Sequence, residues 1–260
     1  MTRRALVERR GSVAIVTINR PEARNAINAE VAAALRDAFD ALERDHSIHV
    51  AILTGAGNDA FSAGLDLKQL AAEGPSLIPR VVFGDTGWAG IGRRSFWKPL
   101  IAAVNGYAVA GGLELMLSCD FAIASENARL GCNEVTLGPI ADAGACFRLP
   151  HWVPLPFAKE MLLTGRMVDA AEAARVGLVN RVVPADQLIP TCLAIAERIG
   201  RNSPSSMQIT KKLMAETHNV PESVAWPIND RYAEASYQTA DFMEGPRAFA
   251  EKRAARFGRG

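Results

Sequence analysis

Residues Asn105–Asp120 read NGYAVAGGLELMLSCD, an apolar run punctuated by glycines, with Glu114 set between Leu113 and Leu115. A buried, isolated charge is costly, so such a carboxylate either shifts its pKa or meets a partner. The surroundings fix its place in the chain. Leu100–Val104, directly after Pro99, is a continuous apolar run of the kind found in a parallel strand covered on both faces. Gly111-Gly112 then opens an apolar helix, and Phe121 to Ala124 is a further strand. The order strand, helix, strand points to an α/β fold class.

Working outward, SVAIVTI (residues 12–18) is short and β-branched, a strand signal, and IHVAILT (48–54) is a second buried strand. Between them Asn28 is placed to cap a helix in which Val31, Leu35, Ala38, Phe39 and Leu42 recur at helical spacing. Residues 68–98 are irregular, rich in Gly and Pro, and contain Phe83, Trp88, Phe96 and Trp97; such a segment is either functional or a surface loop anchored by its aromatics. Asp169 caps a helix that ends at Gly177, and residues 186–199, 204–216, 221–242 and 246–257 read as further helices, several led by proline.

The 260 residues hold 29 Lys and Arg against 28 Asp and Glu, and a net charge of +1 gives no broad field for nucleic acid. Arg3, Arg4, Arg9 and Arg10 at one end, and Lys252, Arg253, Arg256 and Arg259 at the other, read as solvated tails. Cys119, Cys132, Cys146 and Cys192 are widely spaced, with neither a disulfide framework nor a zinc motif, which suits a reducing, cytoplasmic compartment. No signal-peptide pattern precedes the first strand, and no segment approaches the roughly 18 apolar residues of a membrane span. HExxH, the phosphate-binding GxxxxGK[ST] and the nucleophile elbow GxSxG are absent, and GYAVAGG is a poor dinucleotide fingerprint. Carboxylates and backbone amides are therefore the expected tools, with no metal and no redox cofactor.

Glu134 sits in a similar apolar setting, RLGCNEVTLGPIADAG, one helix, one strand and one turn beyond Glu114. Asp142 follows, and either faces the same pocket or caps the helix beginning at Ala143. Gly111 at a helix start leaves free N–H groups, and FSAGLDLK (61–68) turns at Gly64 before Leu65. Two such loops can aim two amides at one oxygen, an oxyanion hole.

FSAGLDLK, AAVNGYAVAGGLELMLSCD, EVTLGPIADAG, TGRMVDAAEAARVGLVNRVV and the terminal FAEKR together resemble the enoyl-CoA hydratase/isomerase (crotonase) family over nearly the whole chain. The resemblance implies a ββα-superhelix (spiral) core over residues 1–195 and a C-terminal helical region over 196–260 that serves assembly into a homotrimer or dimer of trimers. It implies an enoyl-CoA hydratase, with coenzyme A present only as part of the acyl-CoA thioester. Leu65 and Gly111 would form the oxyanion hole, Glu114 would act on water and Glu134 on the Cα proton. Arg24, Ala63, Asp66, Leu67 and Lys68 would lie along CoA, joined by Phe249 and Lys252 from the same or an adjacent subunit. Two positions depart from the family pattern. Ala110 stands where glycine is usual before Gly111. Asp142 stands where hydratases carry glycine, and an acid there resembles dienoyl-CoA isomerases and carnitinyl-CoA dehydratases. Three acids in one pocket suit either a proton relay or a cationic acyl chain, with Trp88 or Trp97 offering a cation–π face. A catalytically silent acyl-CoA- or RNA-binding relative is the remaining reading.

Overall fold

The computed structural model describes residues 3–258, so Arg259 lies outside the described residues. The chain opens with β1 (Ala5–Arg10) and β2 (Val13–Ile18), an antiparallel hairpin, and crosses back through α1 (Ala29–Arg44) to β3 (Val50–Gly55). A unit of two strands and a helix then repeats. β3 leads to β4 (Ala60–Ser62) and α2 (Leu67–Glu73), followed by the single turn α3 (Ile78–Val81). β5 (Leu100–Val104) leads to β6 (Tyr107–Val109) and α4 (Gly111–Met116), and β7 (Phe121–Ser125) leads to β8 (Arg129–Gly131) and α5 (Ala145–Trp152). In each unit the first strand enters one sheet and the second enters another. The larger sheet runs β1-β2-β3-β5-β7 and ends with β10 (Arg181–Val183); the smaller runs β4-β6-β8 and ends with β9 (Met167–Asp169). This is the expected ββα spiral. Helices α6 (Leu155–Thr164), α7 (Ala170–Arg175), α8 (Leu188–Gly200), α9 (Pro204–Thr217), α10 (Glu222–Tyr237) and α11 (Ala240–Ala250) complete the chain.

The continuous apolar strands follow from burial on both faces. Ala14, Val16 and Leu53 join the main core with Val31, Leu35 and Phe39 of α1. Their neighbours Val13, Ile15 and Ile52 face the other way, against Leu188, Cys192 and Ala196 of α8. The spiral turns are stapled by side-chain amides. Asn105 Nδ2 donates to the carbonyls of Gly55, Gly57 and Ala60, and its Oδ1 accepts from the Gly55 amide. Asn25 Nδ2 reaches Ala56 and Ala60 in the same way.

Several expectations change. Arg9 and Arg10 belong to β1, not to a solvated tail, and Arg4 bonds Glu22 and Glu30; β1, ALVERR, is an exposed edge strand whose residues show no apolar–polar alternation, so no strand pattern marked it. Residues 221–242 form two helices parted at Gln238–Thr239, and Pro246 lies inside α11 instead of starting a helix. The expected division at 195/196 falls within α8, which covers the larger sheet, whereas α9 and α10 bury no residue on their own chain.

Candidate active site

The helix α4 begins at the end of β6 and carries Glu114 on its first turn, 2% exposed. Its Oε1 accepts a hydrogen bond from the Ala145 amide, the first residue of α5, at 3.0 Å. Burial raises this carboxyl, the Ala145 amide pulls it back, and the charges of Glu134 and Asp142 raise it again, leaving its pKa at about 7. Glu134 stands on a short 3-10 turn after β8 and is 8% exposed. Neither of its carboxyl oxygens has a hydrogen-bond partner among the described residues. Burial raises its pKa, its own backbone amide opposes this, and the charge of Asp142 adds to the rise. The two acids and Asp142 line one cavity of about 390 Å³.

Arg24, Ala63, Leu65, Leu67 and Gly111 line the same cavity, so eight of the twelve residues given a catalytic, oxyanion-hole or CoA role meet there, beside Trp88 and Ala110. The loops of Leu65 and Gly111 touch. Gly64 has φ +81°, and a Cβ on it would lie 2.9 Å from the Gly111 nitrogen, so glycine is required twice over. Among the described residues neither the Leu65 nor the Gly111 amide hydrogen has a protein acceptor. Gly111 is the first residue of α4, where N–H groups are free by helix geometry. Ala110 is held at φ 54°, ψ −127°, a conformation that disfavours a side chain.

The remaining assignments separate. The Asp66 carboxylate points away from the cavity: it caps α2 by accepting from the Lys68 and Gln69 amides and pairs with Arg20 at 2.5 Å. Any contact from Asp66 to CoA is thereby left to its backbone. Lys68 is exposed beside it, outside the cavity lining. Phe249, 88% exposed, and Lys252 lie at the end of α11 and do not line the cavity of their own chain. Asp142 is exposed at the cavity and does not cap α5, whose N-cap is Gly144 without a side-chain bond. Trp97 is not in the lining; Lys212 sits 5.6 Å from its ring centre, so Trp88 alone of that pair faces the site.

Residues not singled out also build the site. Residues 68–98, expected to be irregular, begin with α2 and α3; Leu70, Ile78 and Val82 from this stretch wall the cavity, and Tyr107 lies under the Arg24 guanidinium, 5.8 Å from its ring centre. Behind Glu114, the Arg148 guanidinium donates to Ser118 Oγ at 3.0 Å and the Gly92 carbonyl at 2.6 Å. Burial lowers the Arg148 pKa and the nearby Glu114 charge opposes the fall. In the sequence, Arg148 lies on the helix after ADAGA, and only its distance from any acid at helical spacing hinted at a buried role.

Two buried acids beside two free amides in one cavity have the chemistry to stabilise an oxyanion while moving protons. The comparisons agree with that class. Residues 8–260 match the family model described as enoyl-CoA hydratase/isomerase. The enoyl-CoA hydratase EchA19 of Mycobacterium tuberculosis is 39% identical over 97% of this chain and 96% of its own, and the carnitinyl-CoA dehydratase of Salmonella typhi is 39% identical over 95% of each. The crystal structure of the enoyl-CoA hydratase EchA1 of Mycobacterium marinum superposes with a TM-score of 0.93 at 38% identity, covering 100% of both chains. The chain belongs to the enoyl-CoA hydratase/isomerase family.

Proposed function

We propose that the protein adds water across, or removes it from, the 2,3 double bond of an acyl-CoA thioester. The observation that carries this reading is the pair of buried acids, Glu114 and Glu134, facing one cavity with the unpaired amides of Leu65 and Gly111. The amides hold the thioester oxygen as negative charge gathers on it; losing one such donor typically costs roughly 3–4 kcal/mol of barrier. Glu114 takes a proton from water as the water oxygen bonds to Cβ, and Glu134 gives its own proton to Cα. Neighbouring acids that repel share one proton near neutral pH, which supplies one base and one acid together. The proton gained by Glu114 balances the one lost by Glu134 and returns through the pair before the next turnover.

Arg24, Ala63, Leu67, Lys68 and the backbone of Asp66 fit a CoA path at the cavity mouth. Phe249 and Lys252, away from their own cavity, fit a contact to CoA on an adjacent subunit. Helices α9 and α10, with nothing buried and Met214, Trp226 and Tyr237 exposed, suit the faces of a homotrimer or dimer of trimers. Four free cysteines, three of them buried, suit a reducing cytoplasm.

Asp142 favours a second reading, dehydration of an acyl group bearing a cation, because it adds a third acid to the cavity beside the Trp88 ring. The test is the ultraviolet absorbance of the conjugated enoyl thioester on mixing with crotonyl-CoA. Enzyme-dependent loss of the band supports hydration of neutral chains. Its persistence, with turnover of a trimethylammonium acyl thioester, selects the second reading.

A further inference from the structure

Trp88 lies in a backbone of unusual shape. Gly87 and Gly90 have φ +65° and +79°, and Ala89 between Trp88 and Gly90 is left-handed at φ 49°, ψ 25°. A left-handed alanine costs about 1–2 kcal/mol, so some favourable contact must hold it. The neighbouring glycines allow close backbone approaches on both sides of this turn. A Cβ on Gly92 would lie 2.8 Å from the Trp88 Cβ, and one on Gly90 would lie 2.8 Å from the Arg36 backbone. What this shape delivers is a two-point grip on Gly111. The indole Nε1–H donates to the Gly111 carbonyl at 2.8 Å, in a buried position. The ring edge occupies the space where a Gly111 side chain would stand, with Cζ2 2.3 Å from that Cβ position. Trp88 is only 3% exposed, yet it borders the cavity.

The residue gripped is the one whose own amide faces the cavity unpaired. It follows Ala110, whose strained backbone would relax if the Ala110–Gly111 peptide turned. We propose that Trp88 is a positioning residue for the oxyanion hole: its indole N–H and ring edge lock Gly111 so that the Gly111 amide stays aimed at the thioester oxygen. The proposal rests on the oxyanion-hole reading above. It assigns to Trp88 a duty independent of the acyl group that its ring borders.

The test removes the indole N–H, keeping the full ring shape in one variant and only a smaller aromatic ring in the other. In Trp88→Phe, and in a protein carrying the sulfur isostere benzothienylalanine at position 88, kcat should fall about tenfold, less than the roughly 10²-fold or more for outright loss of a donor. KM should move by less than about threefold, since ground-state contacts remain. The readout that a merely structural role would not move is the infrared carbonyl stretch of bound butyryl-CoA, isotope-labelled at the thioester carbon. The native protein should shift it to lower frequency, and both variants should lose much of that shift while still binding. Variants that keep the native shift and native kcat overturn the proposal and leave the oxyanion hole intact. A native protein that binds butyryl-CoA with no carbonyl shift removes the oxyanion-hole reading, and the role of Trp88 with it. Because the isostere preserves the shape of the indole, a folding failure confined to Trp88→Phe leaves the isostere to decide.

Discussion

Replacing Glu114 by glutamine should stabilise the protein at alkaline pH and leave it unchanged in acid. The folded-state pKa of about 7 exceeds the 4.5 usual for a solvated glutamate. Between those values the folded chain binds more protons at this site than the unfolded chain, so native stability falls as pH rises through that window and is level above it. About 2.5 pH units at about 1.36 kcal/mol each gives roughly 3 kcal/mol lost by pH 8. Glutamine carries no such penalty, and its carbonyl can still accept from the Ala145 amide, as Glu114 Oε1 does. The assay is urea unfolding of both proteins at pH 4 and pH 8, at matched protein concentration because assembly would add to stability. With a slope near 3 kcal/mol/M, the variant's midpoint should exceed the native one by about 1 M at pH 8. At pH 4 the two midpoints should nearly coincide. An equal difference at both values would refute the reasoning, because the gap would then owe nothing to ionisation of Glu114.

Glu134→Gln should lower hydration at least about 10²-fold with KM little changed, as expected for lost general acid–base help; native turnover in a folded variant would remove Glu134 from the mechanism. Ala110→Gly should raise stability by about 1 kcal/mol, since relief of backbone strain exceeds the entropy glycine adds to the unfolded state; a lower denaturation midpoint would show Ala110 to be unstrained. Asp142→Gly should leave crotonyl-CoA hydration largely intact if neutral enoyl thioesters are the substrates, whereas loss of all activity in a folded variant would place Asp142 in the proton relay.

The strands buried on both faces were legible because their apolar runs are continuous, and Leu100–Val104 matches β5 end for end. Helices with caps were legible too: Asn28 accepts from the Val31 amide and Asp169 from the Glu172 amide, as their positions suggested. The smaller sheet was not, since β4, β6 and β8 are three residues each, too short for any alternation to show. Pro246 misled because proline usually starts a helix, whereas here it lies in the seventh position of α11. At the site, Glu114 and Glu134 announced themselves as carboxylates in apolar surroundings, and Gly64 and Gly111 as turn residues. The bond from Trp88 to Gly111 spans 23 residues and depends on the left-handed Ala89, which no local pattern encodes. Asp66 is assigned to CoA in the sequence because the helix it caps goes unread there; its carboxylate serves that cap instead.

A spiral of repeated units is close to one-dimensional, and such arrays can fray from an end one repeat at a time. The Asn105 amide works against that. It belongs to the β5–β6 turn but holds three carbonyls of the β3–β4 turn, so neither turn opens without breaking the other. Amide hydrogen exchange should accordingly report β3 through β6 as one cooperative block, with the exposed edge β1 and the outlying helices α9 and α10 exchanging before it. The loops of Leu65 and Gly111 hang from that block, which gives their two amides a common, rigid footing.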